Sequence, residues 1–459
     1  MQLNESQLAA TLVREGPALI VAGPGSGKTA VITQRIHTLI DTYGVAPETI
    51  LVITFTRAAA AEMQARFQKL TGDAALPVTF GTFHSVFLHI LKRTYGNDAF
   101  DIAGEDDELR TLSMLVKDIQ SAPDSLAKEL LDEFSRAKNM NEKPRSVCGV
   151  PAKRCAHLMQ QLDERIAAQG LISFDDMISR TYKLLRERPD ILRKWHNIYR
   201  YILIDEFQDI NEPQYRTVKL LAGNKPNLFV VGDDDQAIYG FRGSTPGIMK
   251  KFAKEYKSCK VIYLSKNYRS DEAIVEMSAN LISHNHNRFK KKLSANREYK
   301  IPPVVRSFDT LTEENRFICE EIKSLISRGH KLSDIAVLYR TNATERSLLE
   351  QMKKEGLPFE SDCDMSSNDD GPKVTVSTMH KSKGLEYRAV FVPDVIEGLV
   401  PHKSIEAPEE IEEERRLFYV AITRAKSRLY VLTVKRRYNR EAVPSRFISE
   451  MYKKRFSLF

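Results

Sequence analysis

Cysteine is scarce: the 459-residue chain has five. Cys148, Cys155, Cys259, Cys319 and Cys363 are scattered, with no pair at C-x-x-C spacing. That argues against zinc, iron–sulfur and disulfide frameworks. No uninterrupted apolar stretch approaches the roughly 18 residues a membrane span needs. The N-terminus, Met1-Gln2-Leu3-Asn4-Glu5, has no basic segment leading into an apolar core, so secretion is not expected. Short-period repeats and low-complexity tracts are also missing. What remains is an ordinary globular composition, 42% hydrophobic and 28% charged, expected in a reducing, cytoplasmic setting.

The chain is too long for one core and suggests two or more domains. Its net charge of +8 is compatible with a polyanionic partner. Basic runs occur at Lys290-Lys291-Lys292, Lys435-Arg436-Arg437 and Lys453-Lys454-Arg455, each of which reads by itself as a solvated surface. Short apolar, β-branched runs fall into two sets. The first is 18–22, 50–54, 201–204 and 228–231. The second is 261–264, 335–339, 374–377, 389–392 and 429–433. Helical patterns lie between them. This predicts an α/β protein with two doubly wound lobes of parallel sheet. Between 87 and 171 helical spacing dominates, which reads as a helical insertion into the first lobe. The polar stretch 361–372 reads as a loop inside the second.

The most informative residues are Ala22-Gly23-Pro24-Gly25-Ser26-Gly27-Lys28-Thr29. They follow the run 18–21 and precede a helix-like segment, 31–40. Strand, glycine-rich turn and helix is the context of a phosphate-binding loop. Its N–H groups curl around an anion at a positive helix end. Lys28 would reach the β- and γ-phosphates, and Thr29 would ligate Mg²⁺. The first position is Ala where the general pattern prefers Gly. The pattern implies a bound nucleoside triphosphate.

Asp205-Glu206 closes the run 201–204, and carboxylates at the end of a parallel strand face the ligand crevice. One would serve Mg²⁺ and its neighbour would activate water. Gln236 follows another strand and could sense the γ-phosphate or position water. Tyr239 and Phe241 flank Gly240, beside Arg242. They suit base stacking, and equally suit a core. Arg269 and Arg424 would offer positive charge to a phosphoryl group. Singly, each reads as a surface or salt-bridge arginine.

Taken as a set, the motifs resemble the UvrD/Rep/PcrA group of superfamily 1 DNA helicases. The matches run from 3–7 through the phosphate loop, 54–63, 81–85, 205–209 and 231–243. They continue with 267–270, 339–343, 378–386 and 415–425. The resemblance implies two RecA-like lobes: 1–86 and 172–262 forming the first, 87–171 the helical insertion, and 263–459 the second. It implies that Gln7 reads the adenine edge, Tyr268 stacks on the ring, and Arg35 lies near the nucleotide. Asp205 and Thr29 would hold Mg²⁺, and Glu206 would be the general base. Gln236, Arg269 and Arg424 would meet the γ-phosphate, with Glu386 at the ribose. Phe55, Thr82, His84, Tyr239, Phe241, Arg340, Asn342 and His380 would line a single-stranded DNA path. Phe241 stands where many relatives carry Trp.

Relatives insert a sizeable domain, often called 2B, between the 339–342 region and the 378–380 motif. Here 361–372 takes its place, and no nuclease domain or long tail is expected after Arg424. The resemblance implies ATP and Mg²⁺ as cofactors, and movement 3′→5′ on single-stranded DNA with separation of duplex strands. The alternatives are a translocase that displaces bound proteins with little unwinding, and an ATP-switched binding module. Intact Glu206 and Arg424 argue against the last. Expected partners are single-stranded DNA, single/double-strand junctions and an accessory or loading protein replacing 2B. Nucleoid association is expected if the source is bacterial.

Overall fold

The computed structural model describes residues 3–452 apart from 74, 118, 120–122, 225, 241–242, 245–246, 299–300, 362–370 and 439. Phe241 and most of the 361–372 loop therefore lie outside the described residues. The chain divides into two compact units. The first holds Met1–Val21, Lys28–Gly232 and Tyr239–Tyr263; the second holds Ala22–Gly27, Asp233–Ile238 and Leu264–Phe459.

The first unit and the strand that closes it contain α1 (Glu5–Thr11), β1 (Ala18–Ala22), α2 (Lys28–Asp41), β2 (Ile50–Thr54), α3 (Arg57–Thr71), β3 (Thr79–Thr82) and α4 (Phe83–Tyr95). Next come β4 (Asp101–Ile102), α5 (Glu105–Leu115), α6 (Pro123–Met140), α7 (Ala152–Ala168), β5 (Leu171–Ile172), α8 (Phe174–Glu187) and α9 (Pro189–Ile198). Then follow β6 (Tyr201–Ile204), α10 (Glu212–Ala222), β7 (Leu228–Gly232), α11 (Ile248–Glu255) and β8 (Lys260–Leu264). The sheet order is β3-β2-β6-β7-β1-β8, and the pairings from β3 to β1 are parallel. Strands β1, β2, β6 and β7 are buried along their whole length, as helices on both faces require.

The candidate strand 261–264, grouped by sequence with the second lobe, is instead the edge of this first sheet, beside β1. It is largely exposed, so its apolar character does not reveal which sheet it joins. Strand β3, at the other edge, carries the Gly81-Thr82 segment and escaped the sequence reading. The helical insertion has its own apolar core, Leu112, Leu130, Phe134, Leu158 and Ile166 among it. The short parallel pair β4–β5 brackets it. The expected boundary at 86/87 falls inside α4, whose residues Phe83, Val86, Phe87 and Ile90 are buried. That helix packs on β3 and α8, so the insertion's own helices begin with α5.

The second unit contains β9 (Lys266–Asp271), α12 (Glu272–Ile282), β10 (Ser294–Arg297), β11 (Val304–Thr310), α13 (Leu311–Ser327), β12 (Ile335–Tyr339) and α14 (Arg346–Lys354). It continues with β13 (Phe359–Ser361), β14 (Val374–Thr378), β15 (Tyr387–Val392), α15 (Pro408–Ile422), β16 (Ala425–Arg437), β17 (Arg440–Glu441) and α16 (Arg446–Glu450). Its sheet runs β11-β16-β15-β12-β14-β13, all parallel, with β17 folded back antiparallel on β16. Two apolar clusters include residues of this sheet. One includes Leu338, Val390, Leu417 and Phe418, the other Val337, Leu348, Val376 and Phe391.

Candidate nucleotide and nucleic-acid site

The phosphate loop leaves β1 at Ala22 and enters α2 at Lys28. Gly25 and Gly27 have φ of 62° and 82°, values a side chain resists. At Gly25 a Cβ would also lie 2.5 Å from Arg269 Cβ. The loop is pinned by backbone bonds: Gly23 N donates to Leu264 O at 3.0 Å, and Tyr268 N donates to Gly25 O at 2.9 Å. Ser26 Oγ closes the turn on Gly23 O at 2.8 Å.

At the end of β6, Asp205 and Glu206 stand beside the first helical residue of α2. Lys28 Nζ donates to both carboxylate oxygens of Glu206 at 2.7 Å. Glu206 adopts φ 51°, a left-handed conformation that costs on the order of 1–3 kcal/mol outside glycine. Its carboxylate also accepts from Gln208 Nε2 at 2.7 Å. Burial, then the Glu206 charge, pushes the Asp205 carboxyl up to about 7 against the pull of Lys28. A desolvated carboxyl of this kind is suited to a divalent cation, which would restore its charged form.

Further sequence-predicted residues gather in the second unit. Arg424, 1% exposed, donates to Gln236 Oε1 at 3.2 Å and to Val420 O and Leu385 O. Lys383 Nζ donates to Gln236 O at 2.7 Å. Arg269 Nε donates to Glu386 at 2.7 Å, and Lys426 pairs with the same carboxylate at 2.8 Å. Burial alone would raise the Glu386 carboxyl, but these two cations hold it below the usual range.

Phe55, just past β2, stacks on Tyr239 with ring centroids 5.1 Å apart and planes 10° from parallel. Phe55, Thr82 and His84 line one groove of about 430 Å³, together with Arg57, His89 and Lys92. Phe174 stands edge-on to His84 across it, centroids 5.6 Å apart. Burial lowers the His84 pKa, with the Asp175 charge opposing. Aromatic faces beside cationic tips fit bases and phosphates of a single strand.

The remaining expected residues each have surroundings of their own. Arg35 is seven residues beyond Lys28 on α2, roughly 10 Å along the helix. It is 1% exposed, with its guanidinium 4.3 Å from the Phe229 ring centroid. Its guanidinium is enclosed among buried residues of the first unit. Gln7 caps its own helix: Asn4 N donates to Gln7 Oε1 at 3.0 Å and Gln7 N to Asn4 Oδ1 at 2.8 Å. Arg340 is engaged with Glu414 at 2.7 Å. Asn342 opens a single 3₁₀ turn after β12, and His380 is half-buried in the turn after β14. Sequence reasoning gave no role to Gln208, Lys383 or Arg57, although each lies inside a matched motif, and passed over the groove residues His89, Lys92 and Phe174. The last three lie on helices, outside any matched motif.

A model of the UvrD/REP helicase N-terminal domain matches residues 3–257, and one of the UvrD-like helicase C-terminal domain matches 262–362 and 360–436. The chain belongs to the UvrD-like helicases. Among its relatives, YjcD of Bacillus subtilis (strain 168) is 36% identical over 379 residues, 78% of this chain and 49% of that protein. ATP-dependent DNA helicase PcrA of Staphylococcus aureus is 35% identical over 369 residues, 78% of this chain and 50% of PcrA. A Mycoplasma pneumoniae protein named "Probable DNA helicase" is 31% identical over 468 residues, 97% of this chain and 86% of that one. The chain thus spans about half the length of the first two relatives and most of the third. Its two α/β units are the RecA-like lobes of the family. Among the described residues no helix is long and apolar enough to cross a membrane.

Proposed function

We propose that this chain is an ATP-driven motor that moves 3′→5′ along single-stranded DNA and separates duplex strands. The observation that carries the reading is a shared edge. Lys28, Asp205, Glu206 and the groove residues Phe55, Thr82 and His84 all end or follow strands at the same C-terminal edge of one parallel sheet. Hydrolysis and base stacking are therefore mounted on one rigid element. The names of PcrA and the Mycoplasma protein support a DNA helicase, and the direction rests on the resemblance alone.

In this reading Lys28 and the loop N–H groups hold the phosphates, and Glu206 takes the proton of the attacking water. Any phosphate at Lys28 competes with Glu206 for the ammonium, which leaves the carboxylate available as a base. Thr29 and Asp205 would hold Mg²⁺, which would supply positive charge at the β- and γ-oxygens. Gln236, Arg269 and Arg424 add positive or polar groups where charge develops. Gln7 and Tyr268 serve the adenine, Glu386 the ribose, and Arg340, Asn342 and His380 extend the DNA path with Phe241.

A second reading, a translocase that displaces bound proteins with little unwinding, is favoured by one feature. The C-terminal domain model matches in two pieces that overlap at 360–362, which supports a 2B insertion reduced to 361–372. An accessory or loading partner would then act at single/double-strand junctions, in the cytoplasm or on the nucleoid. ATP hydrolysis measured with and without single-stranded DNA tests the common core of both readings. Stimulation of tenfold or more is expected; a rate indifferent to DNA overturns them.

A further inference from the structure

Three consecutive carboxylates, Asp233, Asp234 and Asp235, are buried with oxygens within 4.8 Å of one another. The arrangement resembles a metal site, but a protein cation stands among them. The side chain of Lys291, from a basic run that reads as solvated surface, is 0% exposed. Its Nζ contacts Asp233, and lies 2.6 Å from Asp234 and 2.8 Å from Asp235. Burial favours loss of its proton, yet the three carboxylates outweigh this and keep it charged. Arg288 forks onto Asp235 at 2.6 and 2.7 Å, and Phe289 N donates to Asp234 at 2.5 Å.

The cluster continues to Gln236 and Arg424. The other oxygen of Asp233 accepts from Gln236 Nε2 at 2.5 Å. With its amide nitrogen on Asp233, Gln236 turns its oxygen to Arg424, 3.2 Å away. The order is thus Lys291, Asp233, Gln236, Arg424. All four belong to the second unit, although Asp233 directly follows β7 of the first.

We infer that Lys291 is a positioning residue for ATP hydrolysis. Through Asp233 it fixes which way the Gln236 amide faces, and so presents Gln236 and Arg424 as one preset pair. The inference rests on the proposed hydrolysis reading. A flipped or mobile Gln236 would lose its alignment in the transition state while leaving the phosphate loop intact. The expected signature is a loss in kcat with little change in KM.

The test is steady-state ATPase of the full chain with single-stranded DNA. Lys291→Met should lower kcat about 10- to 100-fold with the ATP KM within about threefold, and Lys291→Arg should recover much of the loss. Should Lys291→Met fail to fold, Lys291→Met/Asp234→Asn keeps the net charge of the cluster and is read in its place. In a Gln236→Ala background, Lys291→Met should cost less than about threefold further. A folded variant with unchanged kcat, or a loss that multiplies fully onto that of Gln236→Ala, overturns the inference. Absence of ATPase in the unsubstituted chain overturns the hydrolysis reading itself, which separates the two failures.

Discussion

Replacing Arg35 with methionine should leave the protein at least as stable as its parent. Burying a guanidinium is costly, and burial lowers the Arg35 pKa from 12.5 to about 10, with Tyr201 and Tyr43 opposing. The drop corresponds to about 3 kcal/mol against the charged form. Nε and one terminal nitrogen find no hydrogen-bond partner among the described residues. The contact with Phe229 at 4.3 Å returns about 0.5–2 kcal/mol. A net cost of about 1–2 kcal/mol remains. Methionine keeps the apolar stem and fills irregular space. For lobes of this size each kcal/mol shifts the melting midpoint by roughly 2–4 °C. The folded pKa is depressed and the group is a cation, so the cost is fully present at every pH below about 10. The gain should therefore be flat between pH 6 and 8.5. Calorimetry of the parent and Arg35→Met measures it. A midpoint lowered by more than about 3 °C refutes the reasoning and shows that the guanidinium is satisfied. An ATP KM raised several-fold would return Arg35 to the nucleotide.

Glu206→Gln should retain ATP binding and lose about 10²- to 10⁴-fold in kcat, the usual worth of a general base, in rapid-quench assays; residual hydrolysis within tenfold contradicts the role. Asp205→Asn should abolish hydrolysis and stabilise the protein in the absence of divalent cations. The folded pKa is raised to about 7, so the charged carboxyl destabilises the fold increasingly as pH rises from about 4 to 7. Melting curves should show no advantage of Asn at pH 4 and one of a few kcal/mol at pH 8; equal midpoints at pH 8 contradict this. Phe55→Ala removes one face of the Tyr239 stack and should weaken single-stranded DNA binding by about 1–3 kcal/mol in fluorescence titrations. Unchanged affinity would make the Phe55–Tyr239 pair a packing contact.

The phosphate loop and the Asp205-Glu206 strand end were legible because their backbone geometry dictates residue type at fixed spacing. Glycine is required at Gly25 both by φ and by the approach of Arg269, and the sequence shows that requirement directly. Edge strands were harder. The strand 261–264 is apolar and was recognised, but periodicity cannot say which sheet it joins. β3 is only partly buried and β11 largely exposed, so neither carries the continuous apolar run that marks an interior strand. Lys291 was illegible for another reason. Its partners lie more than fifty residues away, and a lysine beside two other lysines looks solvated until the fold encloses it. The surroundings of Arg35 were illegible for the same reason: its burial against Phe229 depends on a strand almost two hundred residues away.

The most direct test of the motor reading is single-turnover strand separation on duplexes with a 3′ or a 5′ single-stranded tail, with ATP hydrolysis followed in parallel. The account predicts DNA-stimulated hydrolysis and separation of the 3′-tailed duplex alone. Hydrolysis without separation on either substrate would contradict the helicase assignment and favour the translocase, while separation from the 5′ tail would contradict the direction of movement.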